Sequence, residues 1–188
     1  LSRANELLKT EINERRQAEE ALDQSGKRFR ALIENSADAI TLLDSNGVAI
    51  YDSPAAPGML GYLNNELIGQ NIFSLMHEED LASIQPLFQK LIETPSARLN
   101  NIFRFLHKDG SWRWIESIST NLLAEPSVKA IVVNYRDITE RKNAELTLLN
   151  AQKLYRTLFE QSADAVFILD LQARHVEVNQ RATEMLGY

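Results

Sequence analysis

Residues 36–52 read SADAITLLDSNGVAIYD, and this stretch decides how the first folded part of the chain begins. The runs DAITLLD at 38–44 and VAIYD at 48–52 are short and resemble strands. Between the two runs, Asn46 and Gly47 favour the positive backbone angles of a tight turn. The stretch therefore predicts two antiparallel strands joined as a β-hairpin.

A near copy of this stretch, SADAVFILDLQARHVEV, begins 126 positions later at Ser162. At the same offset, residues 14–62 lie over residues 140–188 without a gap. A period this long is typical of tandem domains and is too long for a solenoid repeat. Because the second copy stops after 49 residues, we expect the chain after about residue 160 not to fold autonomously. Because the sequence lacks an initial Met, we expect it to be a piece of a longer protein.

The composition excludes several classes of function. Of the 188 residues, 44% are hydrophobic and 24% are charged, a mixture typical of globular proteins. The net charge of −6 and the lack of a basic patch argue against a nucleic-acid partner. No apolar run approaches the roughly 20 residues of a membrane span. The sequence contains no cysteine, which excludes disulfides and thiolate chemistry. We expect a cytoplasmic module, and leave open whether the parent protein is anchored in a membrane.

The first 35 residues predict one long helix, because they lack proline and are rich in Ala, Leu, Glu, Lys and Arg. Mostly small and apolar residues recur in alternating steps of three and four, a spacing that forms a two-helix seam, which Glu11 and Arg15 weaken. One interpretation is a solvated helix without a partner. We favour a parallel dimer, because a helix of this length needs a partner to bury its stripe. The seam residues are Leu8, Ala18, Leu22, Phe29 and Leu32.

The remaining segments complete a mixed fold. Residues 77–94 predict an amphipathic helix, and three long strand-like runs follow at 98–107, 111–123 and 129–137. A second long helix then begins at about Thr139. We expect the first two strands and the last three to form one antiparallel sheet with the short helices on one face. This is an α+β fold, and such a fold can enclose a small cavity.

The residues that follow carry a family resemblance. HKDGSWRWIE at 107–116 and VVNYRDITERK at 132–142, with YDSP, MLGY, ELIG and LMHEED upstream, resemble a PAS domain of the bacterial sensor type with an aromatic second long strand. The resemblance covers about residues 29–139 in full and 155–188 as the start of a second copy. Residues 1–28 and 140–154 resemble the signalling helices that join such modules. The resemblance implies a five-stranded PAS-like sheet, dimerisation through the flanking helices and a regulatory role.

The same resemblance leaves the ligand unknown but bears on two cofactors. Photosensory PAS domains form a flavin–cysteine adduct, which a sequence without cysteine does not allow. Haem-binding PAS domains use a helix histidine, and residues 80–94 contain none. We therefore expect neither cofactor in its usual form.

Apolar residues could line a cavity if the helices close over the sheet: Met76, Phe88, Leu91, Phe103 and Phe105. An ordinary filled core is the alternative. Trp112 and Trp114 stand two apart on one strand, so both project to the same face. They could stack on a planar ligand or pack against other parts of the protein.

No constellation in the sequence favours an enzyme or a metal site. His77 begins the acidic run HEED and is interpreted as a solvated helix start, His107 is expected to be exposed, and His175 lies in the incomplete copy. No three residues have the spacing of metal ligands. A nucleophile beside a base and a glycine-rich phosphate loop are also lacking.

The junction Asp137-Ile138-Thr139 matches the DIT motif of PAS domains, where the last strand becomes the exit helix. It is interpreted either as a helix cap alone or as the joint that passes a change from the sheet to the helix. The favoured function is a sensory module that dimerises, binds a small molecule or partner, and controls an effector in the same parent chain. That effector is expected to be a histidine kinase, with a diguanylate cyclase next. The alternative function is a structural spacer that binds nothing.

Overall fold

A computed structural model of the protein describes residues 2–34, 36, 38–63 and 65–187, without the side chains of 2–10, 14, 29, 30 and 34. The chain divides into two units, residues 1–138 and residues 139–188. Each unit is described separately below.

The first element, α1, is a helix over Ser2–Glu34. This agrees with the long helix that the composition predicts. Of the predicted seam residues, Ala18, Leu22 and Leu32 are exposed, whereas the side chains of Leu8 and Phe29 lie outside the described ones. The dimer seam stays a prediction.

A five-stranded antiparallel sheet follows, with the strand order β2-β1-β5-β4-β3. This confirms the predicted α+β, PAS-like sheet. The two strands that are far apart in the chain, β1 and β5, pair through Thr41 and Val133 among others. The strands are β1 (Ala39–Leu43), β2 (Ala49–Asp52), β3 (Arg98–Leu106), β4 (Trp112–Leu122) and β5 (Ala130–Asp137).

The turn between β1 and β2 is held by Asp44. Its carboxylate accepts hydrogen bonds from the backbone N–H groups of Asn46 and Val48, both at 2.8 Å. These bonds, that of Val48 first, lower the pKa of Asp44. Gly47 has a φ of 80°, and a Cβ there would lie 2.5 Å from the ring of Phe73. Both the backbone angle and the close approach therefore require glycine in this turn.

Helices cover one face of the sheet and close the core. They are α2 (Ala55–Leu60), a 3₁₀ turn (Ile72–Leu75) and α3 (Glu78–Glu93). Ile84, Phe88 and Leu91 lie on the buried side of α3, which agrees with the amphipathic pattern. The ring of Phe88 meets that of Phe73 edge-on, with centroids 5.1 Å apart. The 3₁₀ turn and α3 thus pack together above the sheet.

The start of α3 is tied to β3 by an ion pair. Asp80 accepts a backbone hydrogen bond from Arg104 at 2.7 Å and two from its guanidinium, at 2.8 and 2.9 Å. The guanidinium holds the pKa of Asp80 below its ordinary value. His77 caps the helix, because its Nδ1 accepts from the N–H of Glu79 at 3.3 Å. These contacts fix where α3 begins relative to the sheet.

The second unit repeats the hairpin of the first. It contains α4 (Thr139–Glu160), β6 (Phe167–Leu169), β7 (His175–Val178) and α5 (Gln180–Leu186). Asp170 accepts from the N–H groups of Gln172 and Arg174, as Asp44 does in its own turn. Asn179 is fully buried and accepts from Val166 N–H at 2.9 Å. The absence of autonomous folding after residue 160 stays a prediction.

The corresponding residue of the first unit, Ser53, makes the same contact. Its Oγ accepts from the N–H of Ile40 at 2.9 Å. Equivalent positions 126 residues apart therefore share this hydrogen bond as well as a similar sequence. Among the described helices of both units, none combines the length and the apolar character that crossing a bilayer requires.

Asn121 caps the C-terminal end of α3. Its side chain is 3% exposed, and its amide nitrogen lies 2.9, 3.1 and 3.0 Å from the carbonyl oxygens of Leu91, Ile92 and Thr94. Its amide oxygen accepts from the N–H of Leu123 at 3.0 Å. One side chain on β4 therefore satisfies the carbonyl groups that the end of a helix leaves unpaired.

Replacing Asn121 should destabilise the first unit. For Asn121→Ala we expect a loss of about 1–3 kcal/mol in the free energy of unfolding, because buried carbonyls lose their donor. For Asn121→Asp we expect a larger loss, because a carboxylate would face the same carbonyls. Urea unfolding followed by tryptophan fluorescence reports on this unit, which holds both tryptophans. Asn100→Ala, at an exposed position of β3, is the control. Equal stability of Asn121→Ala and the control would contradict this role.

Candidate functional site

A small cavity lies in the core of the first unit, between the sheet and the helices. Its volume is about 40 Å³, room for roughly three water-sized groups at about 10–15 Å³ each. Sites for drug-sized ligands are nearer 300–1,000 Å³. The core is thus largely filled. The lining is Thr41, Leu43, Ala49, Asp52, Leu60, Leu67, Ile72, Phe103, Phe105, Ile115, Val133 and Tyr135.

The polar groups of this cavity are joined to each other. Thr41 and Tyr135 are buried, at 6% and 7% exposed. The Thr41 hydroxyl donates a hydrogen bond to Oδ1 of Asp52. The same Thr41 oxygen lies 3.5 Å from the hydroxyl oxygen of Tyr135. Strands β1, β2 and β5 each contribute one member, so the pairing of these strands assembles the group.

Burial governs the ionisation of both titratable members. Desolvation raises the pKa of Asp52 above its ordinary value of 3.8, and the hydrogen bond from Thr41 opposes this rise. Desolvation likewise raises the pKa of Tyr135, which stays a neutral phenol. Asp52 is therefore the carboxyl group of the cavity, and its burial favours the protonated form relative to an exposed aspartate.

A second, outer crevice lies next to the cavity. Its volume is about 170 Å³, and it shares Asp52 and Leu67 with the cavity lining. Its wall is formed by the start of α2 and the loop that follows, including Ser53, Tyr62 and Asn65. Asp52 therefore stands at the boundary between the inner cavity and the crevice.

The apolar residues predicted to line a cavity divide into two groups. Phe103 and Phe105 do line it. Met76, Phe88 and Leu91 are buried in the same core, at 3–6% exposed, but lie behind the lining. Their role in binding a ligand stays a prediction.

The two tryptophans lie on the face of β4 that does not line the cavity. On β4, Ile115 points into the cavity, so the alternation of the strand puts Trp112 and Trp114 on its other side. Trp112 is 43% exposed and its ring meets that of His77, with centroids 4.8 Å apart. The guanidinium of Arg104 lies 5.3 Å from the centre of the Trp114 ring. Both rings contact protein side chains, and their role in binding a ligand stays a prediction.

Each of the three histidines has its own local contacts. His77 caps α3 as described, and His175 lies on β7 with its ring 5.4 Å from that of Phe167. The expectation that His107 is exposed is wrong, because its side chain is 17% exposed and packs against Gly61. Within the described part of the chain, no group of three His, Asp or Glu residues could hold a metal ion.

The predicted transmission residues form the end of the sheet. Asp137 is the last residue of β5, and Thr139 is the first residue of α4. Between them, Ile138 is 4% exposed and its N–H donates to the carbonyl oxygen of Trp114 at 2.8 Å. The bonding between β4 and β5 thus continues to the last residue before the helix.

Sequence reasoning missed Thr41, Asp52 and Tyr135. A signal for the first two was present in the repeat, because the residues at the same positions of the second copy are Phe167 and Val178. A hydrogen-bonded polar pair in one copy is an apolar pair in the other. That contrast marks the pair as a feature of the first unit alone.

Comparison with protein families identifies both halves of the repeat. A family model described as PAS fold matches residues 49–132, and one described as PAS domain matches residues 153–188. Among solved structures, the PAS domain of an HTR-like protein from Haloarcula marismortui is 25% identical, with a TM-score of 0.55. That alignment covers 65% of this chain and 99% of the other.

Curated relatives include kinases of two bacteria. Sporulation kinase A of Bacillus subtilis is 28% identical over 151 residues, which are 79% of this chain and 24% of the relative. The sensor histidine kinase TmoS of Ectopseudomonas mendocina is 28% identical over 136 residues, 71% of this chain and 14% of the relative. The chain thus spans about a quarter or less of the length of these relatives.

The raised pKa of Asp52 predicts a specific pH dependence of stability. The folded state binds the proton of Asp52 more tightly than the unfolded state does. Protonation of Asp52 therefore stabilises the fold, and this stabilisation is complete below the ordinary pKa of 3.8. It is lost as the pH rises through the folded-state pKa. We expect the free energy of unfolding to fall relative to Asp52→Asn over that range. Urea unfolding of both proteins at a series of pH values measures the difference. A difference independent of pH would contradict it.

Proposed function

Because the chain belongs to the PAS domain family of the bacterial sensor type, we propose that it is a sensory module of a signal-transduction protein. Its kinase relatives support a histidine kinase as the effector in the parent chain, with a diguanylate cyclase as the alternative. The chain itself would regulate and leave catalysis to that effector. Location in the cytoplasm is part of the same proposal.

The observation that carries this proposal is the continuity of β5 from the cavity to the exit helix. Val133 and Tyr135 line the cavity, and α4 begins four residues after Tyr135, at Thr139. Four extended residues span about 13 Å. A displacement of Tyr135 therefore has a short, hydrogen-bonded route to the first turn of α4.

The mechanism requires two arrangements of the sheet that differ in their affinity for a ligand. A ligand shifts such an equilibrium only by its difference in affinity for the two arrangements, and a few kcal/mol suffice. The small cavity favours a ligand that inserts a short apolar group and keeps its polar part near Asp52. A change at the end of the β4–β5 pairing, next to Ile138, would then alter the direction of α4.

Dimerisation through the flanking helices would convert that change into an output. Leu22 and Leu32 of α1 are 75% and 68% exposed, and Leu154 and Leu158 of α4 are 61% and 65% exposed. Helices that present apolar side chains at three- and four-residue spacing bury them most readily against a second copy. We therefore propose a parallel homodimer.

One observation favours a second function. A cavity of about 40 Å³ is small beside known ligand sites, as expected for a spacer that holds two helices at a fixed geometry and binds nothing. Such a spacer would not transmit a change made in its core.

Enlarging the cavity distinguishes a sensor from a spacer. We expect Val133→Ala to speed amide hydrogen exchange at residues 142–146, in the first hydrogen-bonded turns of α4, because a shift of β5 reaches them through Ile138. Hydrogen exchange with mass spectrometry measures this. The control is Val132→Ala, on the other side of the same strand. Faster exchange confined to the cavity strands would support the spacer.

Introducing a charge into α1 tests the dimer. We expect Leu22→Glu to weaken self-association roughly tenfold or more, because two carboxylates would replace an apolar seam pair. Sedimentation equilibrium measures the association constant. Gln24→Glu adds the same charge away from the seam and should leave the constant nearly unchanged. A monomeric unmodified chain, or equal effects of the two variants, would contradict the proposed dimer.

A further inference from the structure

Among the described residues, one acidic side chain lines the cavity and the crevice. Of the described residues that line either space, Asp52 is the only Asp, Glu, Lys, Arg or His. The other polar groups nearby are hydroxyls and amides, such as Thr41 and Asn65. The electrostatic character of the whole site is therefore set by one carboxylate.

Within the described residues, that carboxylate has no cationic partner. Its single hydrogen bond comes from Thr41 and reaches Oδ1, which leaves Oδ2 without a protein donor among those residues. Lys108 lies near the crevice, over the ring of Tyr62, but it is paired with Glu66. A half-buried carboxylate in this position is costly unless a cation or a proton joins it.

The surroundings of Asp52 specify the rest of a ligand. On the cavity side the wall is apolar, formed by Leu43, Phe103, Ile115 and Val133. Apolar cavities of this kind accept apolar groups in preference to water. On the crevice side, the exposed Asn65 offers a polar contact nearer the surface. The space thus fits a positive head at Asp52 with an alkyl tail of about three carbons in the cavity.

Resting on the sensory function above, we propose that the first PAS unit recognises a short-chain alkylammonium ion, with its ammonium group on Asp52 and its alkyl group in the core cavity. A carboxylate ligand would be repelled by Asp52. A neutral alcohol would leave the charge of Asp52 uncompensated. The second copy has Phe167 and Val178 in place of Thr41 and Asp52, so it does not form this site.

The test uses three probes of similar size and different charge. Propylammonium, 1-propanol and propionate are titrated separately into the whole chain at constant ionic strength, with calorimetry and thermal shift as readouts. We expect propylammonium to bind and to raise the melting temperature, and the other two to bind at least tenfold more weakly.

Variants then locate the binding. Asp52→Asn should weaken propylammonium binding at least tenfold, and the double change Thr41→Phe with Asp52→Val, which installs the pair of the second copy, should abolish it. Glu93→Gln removes an equal charge from an exposed position and should leave binding unchanged. If Asp52→Asn fails to fold, lowering the pH through the pKa of Asp52 in the unmodified chain should weaken binding in the same way.

The outcomes separate this proposal from the sensory function. Equal binding of 1-propanol, full affinity of Asp52→Asn, or no binding of propylammonium would each overturn the alkylammonium site. If 1-propanol bound and also changed hydrogen exchange in α4, the sensory function would stand and only the ligand class would fail. If propylammonium bound without any change in α4, the site would stand and the sensory function would fail.

Discussion

β5 is hydrogen-bonded on both sides, to β1 and to β4, and the other parts of the first unit depend on that double pairing. It brings Tyr135 beside Thr41, which is 94 residues away in the sequence. It also sets the register that buries Ile131, Val133 and Tyr135 on one face. A slip of one residue would turn all three away from the core. The strand therefore fixes the core, the polar end of the cavity and the starting point of α4 at once.

The two copies show how one scaffold is adapted. Their turn aspartates and their strand-end contacts are the same, because these features determine the backbone. Their interior pairs differ, Thr41 with Asp52 in one and Phe167 with Val178 in the other. An apolar pair contributes to a filled core, whereas a hydrogen-bonded carboxylate at the edge of a cavity costs stability. The binding role proposed for the first unit would explain why this cost is tolerated there.

The sequence predicted the elements well and the site only in part. Alternation and turn residues placed all five strands within about two residues, because these signals are local. They showed that Trp112 and Trp114 share a face, but which face is covered depends on how α3 packs through residues such as Phe88. Asp52 was missed because a polar residue at a strand end is usually solvated. Leu60 and Leu67 line the same cavity as Asp52, and the strand pattern around Asp52 does not show this packing.

The central claim is that a change in the core cavity moves α4. Because the chain has no cysteine, Lys153→Cys places a single spin label on an exposed position of α4, and pulsed electron resonance measures the distance between the two labels of a dimer. We predict that Val133→Ala shifts or broadens this distance distribution while Val132→Ala leaves it unchanged. Superimposable distributions for the unmodified core and Val133→Ala would contradict the claim.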